Sequence, residues 1–119
     1  MKNILVVGAG SIAERHISIL WDMVPSASFL VLRTIPEKLV DFAEVTTQES
    51  VAWDFSPDLV VVASPSTTHC HFIEYFVDVS KYIFVEKPLC SSAAEAEVLL
   101  QQLRGDCKNS MINIGYNLR

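Results

Sequence analysis

Gly8-Ala9-Gly10-Ser11-Ile12-Ala13 sets two glycines and a small residue at G-x-G-x-x-A spacing. Where a strand hands over to a helix, this pattern can hold a pyrophosphate. Gly8 allows the tight turn, Gly10 lets phosphate oxygens approach the backbone past no side chain, and Ala13 permits close helix–strand packing. Ser11 and Ile12 then open a helix whose first N–H groups and positive dipole end attract an anion. Arg33 falls at the end of the next apolar run, where a guanidinium suits the 2′-phosphate of NADP by paired, charge-assisted hydrogen bonds; Glu37, four positions on, could instead reach a ribose. Lys87 sits between Glu86 and Pro88, which restrict its backbone. A lysine so placed near a nicotinamide can hydrogen-bond a substrate hydroxyl and help move its proton. The plainer readings are a structural βα turn, a solvated strand end at Arg33, and a surface lysine paired with Glu86.

These residues need elements to hold them. Residues 2–7, 28–33, 59–63, 82–85 and 111–115 read as apolar strands of the kind buried on both faces of a parallel sheet. Residues 11–24 read as a helix with Ile12, Ile17, Leu20, Trp21 and Val24 as its buried stripe, stopped by Pro25. Thr34-Ile35-Pro36-Glu37 resembles a short helix start, and 42–45 looks extended. A short helix is expected through Val51-Ala52-Trp53, another over about 68–79, and a third over 93–104 with Ser92 and Glu95 at capping-box spacing. The alternation predicts an α/β fold: a Rossmann-like doubly wound parallel sheet of about six strands with helices on both faces.

In such a sheet, ligands bind beyond the carboxyl ends of the strands. The segments that follow the strands here are Gly8-Ala9-Gly10, Arg33-Thr34, Ser64-Pro65-Ser66, Glu86-Lys87-Pro88 and Tyr116-Asn117. Their convergence on one edge argues more strongly than any single motif.

The 119 residues are half apolar and 19% charged, which predicts one well-packed domain over 1–119. A net charge of −5 with no basic cluster argues against a nucleic-acid partner. Apolar runs are too short to span a bilayer and no secretory signal is visible, so a cytoplasmic location is the expectation. Cys70, Cys90 and Cys107 are odd in number and widely spaced, and neither a disulfide framework nor a metal site is expected. His69 and His71 flank Cys70 in poor ligand geometry; His71 reads as a capping or packing residue and His16 as a half-buried structural one.

The ordered motifs Gly8-Ala9-Gly10-Ser11-Ile12-Ala13 with Arg15-His16, Ala63-Ser64-Pro65 with His69, Glu86-Lys87-Pro88-Leu89, and Gly115-Tyr116-Asn117-Leu118-Arg119 run the length of the chain. In these the sequence resembles the N-terminal domain of the Gfo/Idh/MocA family, the glucose–fructose oxidoreductase and inositol dehydrogenase group. The resemblance implies an NAD(P)-dependent oxidoreductase acting on a sugar, cyclitol or sugar derivative, and Arg33 at the end of the second strand slightly favours NADP over NAD. It implies that Lys87 contacts cofactor and substrate as the catalytic lysine. Gly8, Ala9, Gly10, Ser11 and Ile12 would cradle the pyrophosphate, and Arg33 would meet the adenosine end. Ala63, Ser64, Pro65, His69, Glu86, Pro88 and Asn117 would complete the cofactor cleft, with Ser64, Pro65 and His69 at the nicotinamide half. It further implies a C-terminal substrate domain, absent from these residues, that would bring the polyol or sugar contacts and the interface of a homo-oligomer. The isolated chain is therefore expected to bind cofactor without turnover. A dinucleotide-sensing module without redox chemistry is the alternative, and a flavodoxin-like phosphate-binding domain is a third that leaves Glu86-Lys87-Pro88 without a purpose.

Overall fold

The computed structural model describes residues 2–87, 89–105 and 111–115. Its elements run β1 (Asn3–Val7), α1 (Ser11–Met23), β2 (Ser28–Leu32), β3 (Glu44–Thr46), α2 (Glu49–Asp54), β4 (Leu59–Val62), a 3-10 turn (Ser66–Thr68), α3 (His69–Phe76), β5 (Tyr82–Glu86), α4 (Ala93–Gly105) and β6 (Met111–Gly115). The strands form one sheet in the order β3-β2-β1-β4-β5-β6, and every pairing is parallel. The order reverses direction after β3, so the doubly wound fold read from the alternation is present.

Right-handed crossovers decide which face each connection covers. Steps toward β3 place α1 and the 33–43 connection on one face; the return through β4, β5 and β6 places α2, α3 and α4 on the other. Residue parity in the strands follows. Leu5 and Val7 join Val60, Val62, Ile83 and Val85 against Ile73, Phe76 and Leu99 of the helices. Ile4 and Val6 join Phe29, Val31 and Val61 against Ala13 and Ile17 of α1. With both faces buried, the strands read as unbroken apolar runs. The face carrying α1 and the 33–43 connection leaves β4–β6 partly open. A largely apolar concavity of about 430 Å³, lined by His16, Leu20, Val61, Tyr82, Phe84 and Asn113 among others, marks the gap.

Several expectations shift. No helix forms after β2: residues 33–43 run as turns and bends. Ile35, held out of the helical region by the following Pro36, disfavours one, and the Arg33 side chain closes the turn by donating from Nη1 to the Glu37 carbonyl at 2.9 Å. The segment packs instead through Phe42, which stacks on Trp21 at 4.4 Å. The buried residues of α1 are Ala13 and Ile17, whereas Ile12 is 53% exposed and Trp21 37%. Ile12 lies in the first turn at the glycine edge, beyond the reach of the sheet. Helix α3 is shorter than expected, its first turn tightened to 3-10 geometry at Ser66–Thr68 and its end reached at Phe76. The Ser92–Glu95 box is displaced by one residue. Ser92 Oγ accepts from the Glu95 N–H at 3.1 Å, but the Glu95 carboxylate accepts from Ser91, through its N–H at 3.0 Å and its hydroxyl at 2.7 Å. Those two bonds hold the Glu95 carboxyl below its usual range. Among the described residues, no helix is long and apolar enough to cross a membrane.

At the opposite edge of the sheet, Asp58 latches β1 to the turn before β4. One carboxylate oxygen accepts from the Lys2 and Asn3 N–H groups, both at 2.9 Å. The Asn3 bond first, then the Lys2 bond, draws the Asp58 carboxyl below its ordinary 3.8.

Candidate functional site

Because every strand is parallel, the carboxyl ends of all six share an edge. There Gly8 follows β1, Arg33 follows β2, Ala63-Ser64-Pro65 follows β4 and Lys87 follows β5. Strand spacing puts Arg33 and Lys87 three steps, about 14 Å, apart across that edge.

The two glycines stand in different surroundings. Gly8 has φ +146°, and a Cβ on it would stand 2.7 Å from the Ala63 carbonyl oxygen and 3.2 Å from the Ala13 Cβ. It is the point where β1, β4 and α1 converge, and its N–H donates to the Leu32 carbonyl at 3.0 Å. Among the described residues, a Cβ on Gly10 would meet nothing within 4 Å. Gly10 occupies the N-cap of α1 in an extended conformation, and no side chain caps the helix. The N–H groups of the first turn, which lack intrahelical partners, are therefore left to solvent or ligand. Exposed Ser11 and Ile12 flank them.

Arg33 bridges two loops of this edge. Beyond the Glu37 bond, Nη2 donates to the Ala9 carbonyl at 3.3 Å, directly on the glycine turn. Its buried Nε has no hydrogen-bond partner among the described residues. Arg33 thereby brings a guanidinium, with its fork of donors, to the glycine turn. A cleft of about 350 Å³ opens beside it, reaching Gly8, Ala9, Thr47, Glu49, Ser64 and Phe72 among its walls.

The loop after β4 is tied by its hydroxyls. Thr68 Oγ1 donates to the Pro65 carbonyl at 2.6 Å, so the 2.7 Å contact with Ser64 must be Ser64 Oγ–H donating to Thr68. His69 is 1% exposed. Its Nε2 faces the Ser64 carbonyl at 2.8 Å and its Nδ1 the Leu89 carbonyl at 3.2 Å. The imidazole thus spans from the Ser64 loop to the segment after Lys87. The residue read as lining the cleft is buried beneath it and acts as a clamp.

Beside the cleft, His71 pairs with Glu49 at 2.8 Å. Cys70, next to His69, is buried, and burial, reinforced by a hydrogen bond with Cys90 and the charges of Glu95 and Glu74, pushes its thiol up to about 12. Glu86 at the end of β5 is held by the His16 Nε2 of α1, and His16 meets Phe84 edge-on. Lys87 beyond it is exposed. The plainer pairing of Lys87 with Glu86 thus gives way to a Glu86–His16 pair. Pro88 and Asn117 lie outside the described residues.

Thr34, placed at the ligand edge by its position after β2, lines the cleft, whereas sequence reasoning missed Thr47, Glu49, Thr68 and Phe72 as cleft walls. Of these only Thr68 carried a signal, four residues after Ser64 and hence within one turn. It also missed the His16–Glu86 contact, since residues on α1 and β5 meet only after the crossovers are laid down.

The family described as "Oxidoreductase family, NAD-binding Rossmann fold" (GFO_IDH_MocA) matches residues 2–113. Inositol 2-dehydrogenase of Acidothermus cellulolyticus is 29% identical over 97 residues, which are 75% of this chain and 28% of that protein. Among solved structures, the myo-inositol dehydrogenase of Lactobacillus casei in complex with NAD(H) and myo-inositol superposes with TM-score 0.81 at 26% identity, over 97% of this chain and 36% of that one. GenD2 from gentamicin A biosynthesis, in complex with NAD, gives TM-score 0.74 at 26% identity, over 96% and 34%. The chain spans about a third of the length of such relatives.

Proposed function

This chain belongs to the Gfo/Idh/MocA oxidoreductase family with its NAD-binding Rossmann fold, and on that premise we propose that its strand-end edge holds a nicotinamide dinucleotide for hydride exchange with a polyol or sugar. The observation that supports the reading is Gly10: its Cβ position is open space among the described residues, which leaves room for phosphate oxygens to reach the backbone at the start of α1. The pyrophosphate lies against Gly8, Ala9 and Gly10 and takes hydrogen bonds from the first turn of α1, with Ser11 and Ile12 at its flank. The adenosine half occupies the cleft beside Arg33. Its ribose 2′-position faces a guanidinium tied to Ala9 and Glu37, which favours NADP over NAD through charge-assisted bonds to the extra phosphate.

The nicotinamide half lies toward Ala63, Ser64, Pro65 and Lys87. Lys87 would be the catalytic residue: as the free amine it would accept the proton of the substrate hydroxyl in the oxidising direction, and as the ammonium it would return a proton to the carbonyl oxygen in the reducing one. Glu86, held by His16, positions the backbone that carries Lys87, and His69 does the same from the other side. The dinucleotide supplies the hydride acceptor or donor. Substrate selection, complete turnover and homo-oligomer formation belong to the part of the relatives' length that this chain does not span, and location in the cytoplasm goes with this soluble-enzyme reading.

Titration of NADPH and NADH against the purified chain, read by nicotinamide fluorescence, tests the assignment. Saturable binding of at least one is expected, and binding of neither overturns it. Arg33→Asp is expected to weaken NADPH at least tenfold more than NADH; an equal loss removes the phosphate contact from the proposal. A dinucleotide sensor without chemistry is the second reading. It is favoured if the whole protein binds a dinucleotide saturably yet turns over no polyol or sugar, whereas turnover that Lys87→Met leaves unchanged removes the catalytic role from that lysine.

A further inference from the structure

Away from the cleft, α3, the segment after Lys87 and the start of α4 bring three metal-ligating side chains together. The thiols of Cys70 and Cys90 and a carboxylate oxygen of Glu95 all lie within 4.8 Å of one another, Cys70 buried and the other two half-buried. Cys90 and Glu95 are near neighbours in sequence, whereas Cys70 joins them from α3, twenty residues before Cys90, only through the fold. We infer that Cys70, Cys90 and Glu95 form a three-ligand site for a soft or borderline divalent cation, Zn²⁺ being the fitting ion, with water as the fourth ligand.

The geometry suits zinc. With Zn–S near 2.3 Å and Zn–O near 2.0–2.2 Å, tetrahedral donors stand about 3.5–3.8 Å apart. The observed spread needs only small side-chain rotations to reach that. Two thiolates select zinc over magnesium or calcium, which prefer all-oxygen shells.

The surroundings hold the ligands in place. Ser91 donates its N–H at 3.0 Å and its hydroxyl at 2.7 Å to Glu95 Oε1. That fixes the carboxylate and leaves Oε2 for the ion. His69 faces the Leu89 carbonyl at 3.2 Å, pinning the residue before Cys90 to the one before Cys70. Outer contacts of this kind orient first-sphere ligands in metal sites. His69 is not itself the fourth ligand, because both its ring nitrogens are directed at backbone carbonyls. Two thiol protons leave for solvent as the ion enters from the half-buried side of Cys90 and Glu95. The bound cation ties α3 and α4 to the segment that follows Lys87, three residues from the lysine.

The test uses the reduced full chain with Zn²⁺ in competition with a chromogenic chelator, and Co²⁺ as a spectroscopic substitute. One equivalent of Zn²⁺ is expected, together with a thiolate-to-cobalt charge-transfer band and a higher melting temperature with zinc. Cys90→Ser should lower zinc affinity at least 100-fold and weaken the band, and Glu95→Gln at least tenfold, while Cys107→Ser leaves both unchanged. Cys70→Ser touches the core, so the half-buried Cys90 and Glu95 variants decide the outcome, with circular dichroism confirming their fold. The inference is overturned if wild type binds less than one equivalent, if Cys90→Ser binds as wild type does, or if the band follows Cys107. It is equally overturned if the two thiols form a disulfide under mild peroxide while the reduced chain shows no cobalt band.

Discussion

Replacing each glycine of the turn by alanine separates a fold requirement from a ligand requirement. In Gly8→Ala the new Cβ meets a backbone carbonyl at 2.7 Å, and φ +146° is a region that L-residues rarely adopt. Strain of this kind costs about 1–3 kcal/mol before the contact is counted, so a loss of about 3 kcal/mol is expected. For a domain of this size that is roughly a 10 °C fall in melting temperature. In Gly10→Ala the Cβ enters open space from an extended backbone. The unfolded chain loses some entropy, worth about 0.4–1 kcal/mol in favour of folding, and the N-cap becomes slightly poorer. The two nearly cancel, leaving stability within about 0.5 kcal/mol of wild type. That methyl occupies the space assigned to the pyrophosphate, and dinucleotide affinity should fall at least tenfold, about 1.4 kcal/mol. Thermal melts paired with NADPH and NADH fluorescence titrations read both quantities. A Gly10→Ala chain that binds within twofold of wild type refutes the ligand argument, and a Gly8→Ala chain that melts as wild type does refutes the packing argument.

Asp58→Asn should destabilise the chain at neutral pH by less than about 1 kcal/mol, since the carboxylate is exposed and screened. Because the folded carboxyl lies below 3.8, its contribution is present above that value and is lost as pH falls through the folded one. The difference in melting temperature between wild type and variant should therefore be full at pH 7 and close toward pH 2–3; a gap that persists there contradicts the latch. His69→Ala empties a buried site between the Ser64 and Leu89 carbonyls and leaves the one that accepts the imidazole N–H without its donor, a loss of about 2–4 kcal/mol by urea unfolding. A loss under 1 kcal/mol would show that the clamp is not structural.

The fold was legible because local and long-range signals agree: Leu59-Val60-Val61-Val62 is apolar without alternation, and only a strand buried on both faces needs that. The glycine turn was legible for the same reason, standing between such a strand and a helix start. The 33–43 connection was not, because Pro36 can open a helix as well as block one. The outcome depended on Arg33 reaching the Glu37 carbonyl and Phe42 reaching Trp21, contacts without local periodicity. His69 was identified as a site residue by its place in the chain, but chain position does not say whether an imidazole lies on the cleft or beneath it. Pairing across distant elements, as in His16–Glu86 and Cys70–Cys90, has no signature in residue spacing.

The crowding of Gly8 against Ala63 also bears on the order in which the molecule assembles. The glycine motif reads as a local device of a dozen residues, yet its shape is set by the end of β4, more than fifty residues away. Parallel pairing of β1 with β4 can form only after the intervening β2, β3 and α2 have been looped out, and such distant closures come late and slowly. An early β1–α1–β2 nucleus would carry the sequence of a phosphate cradle without its conformation. Competence to bind is then acquired in one step with the central strand pair, and a ligand that selects the finished turn draws the entire sheet toward completion.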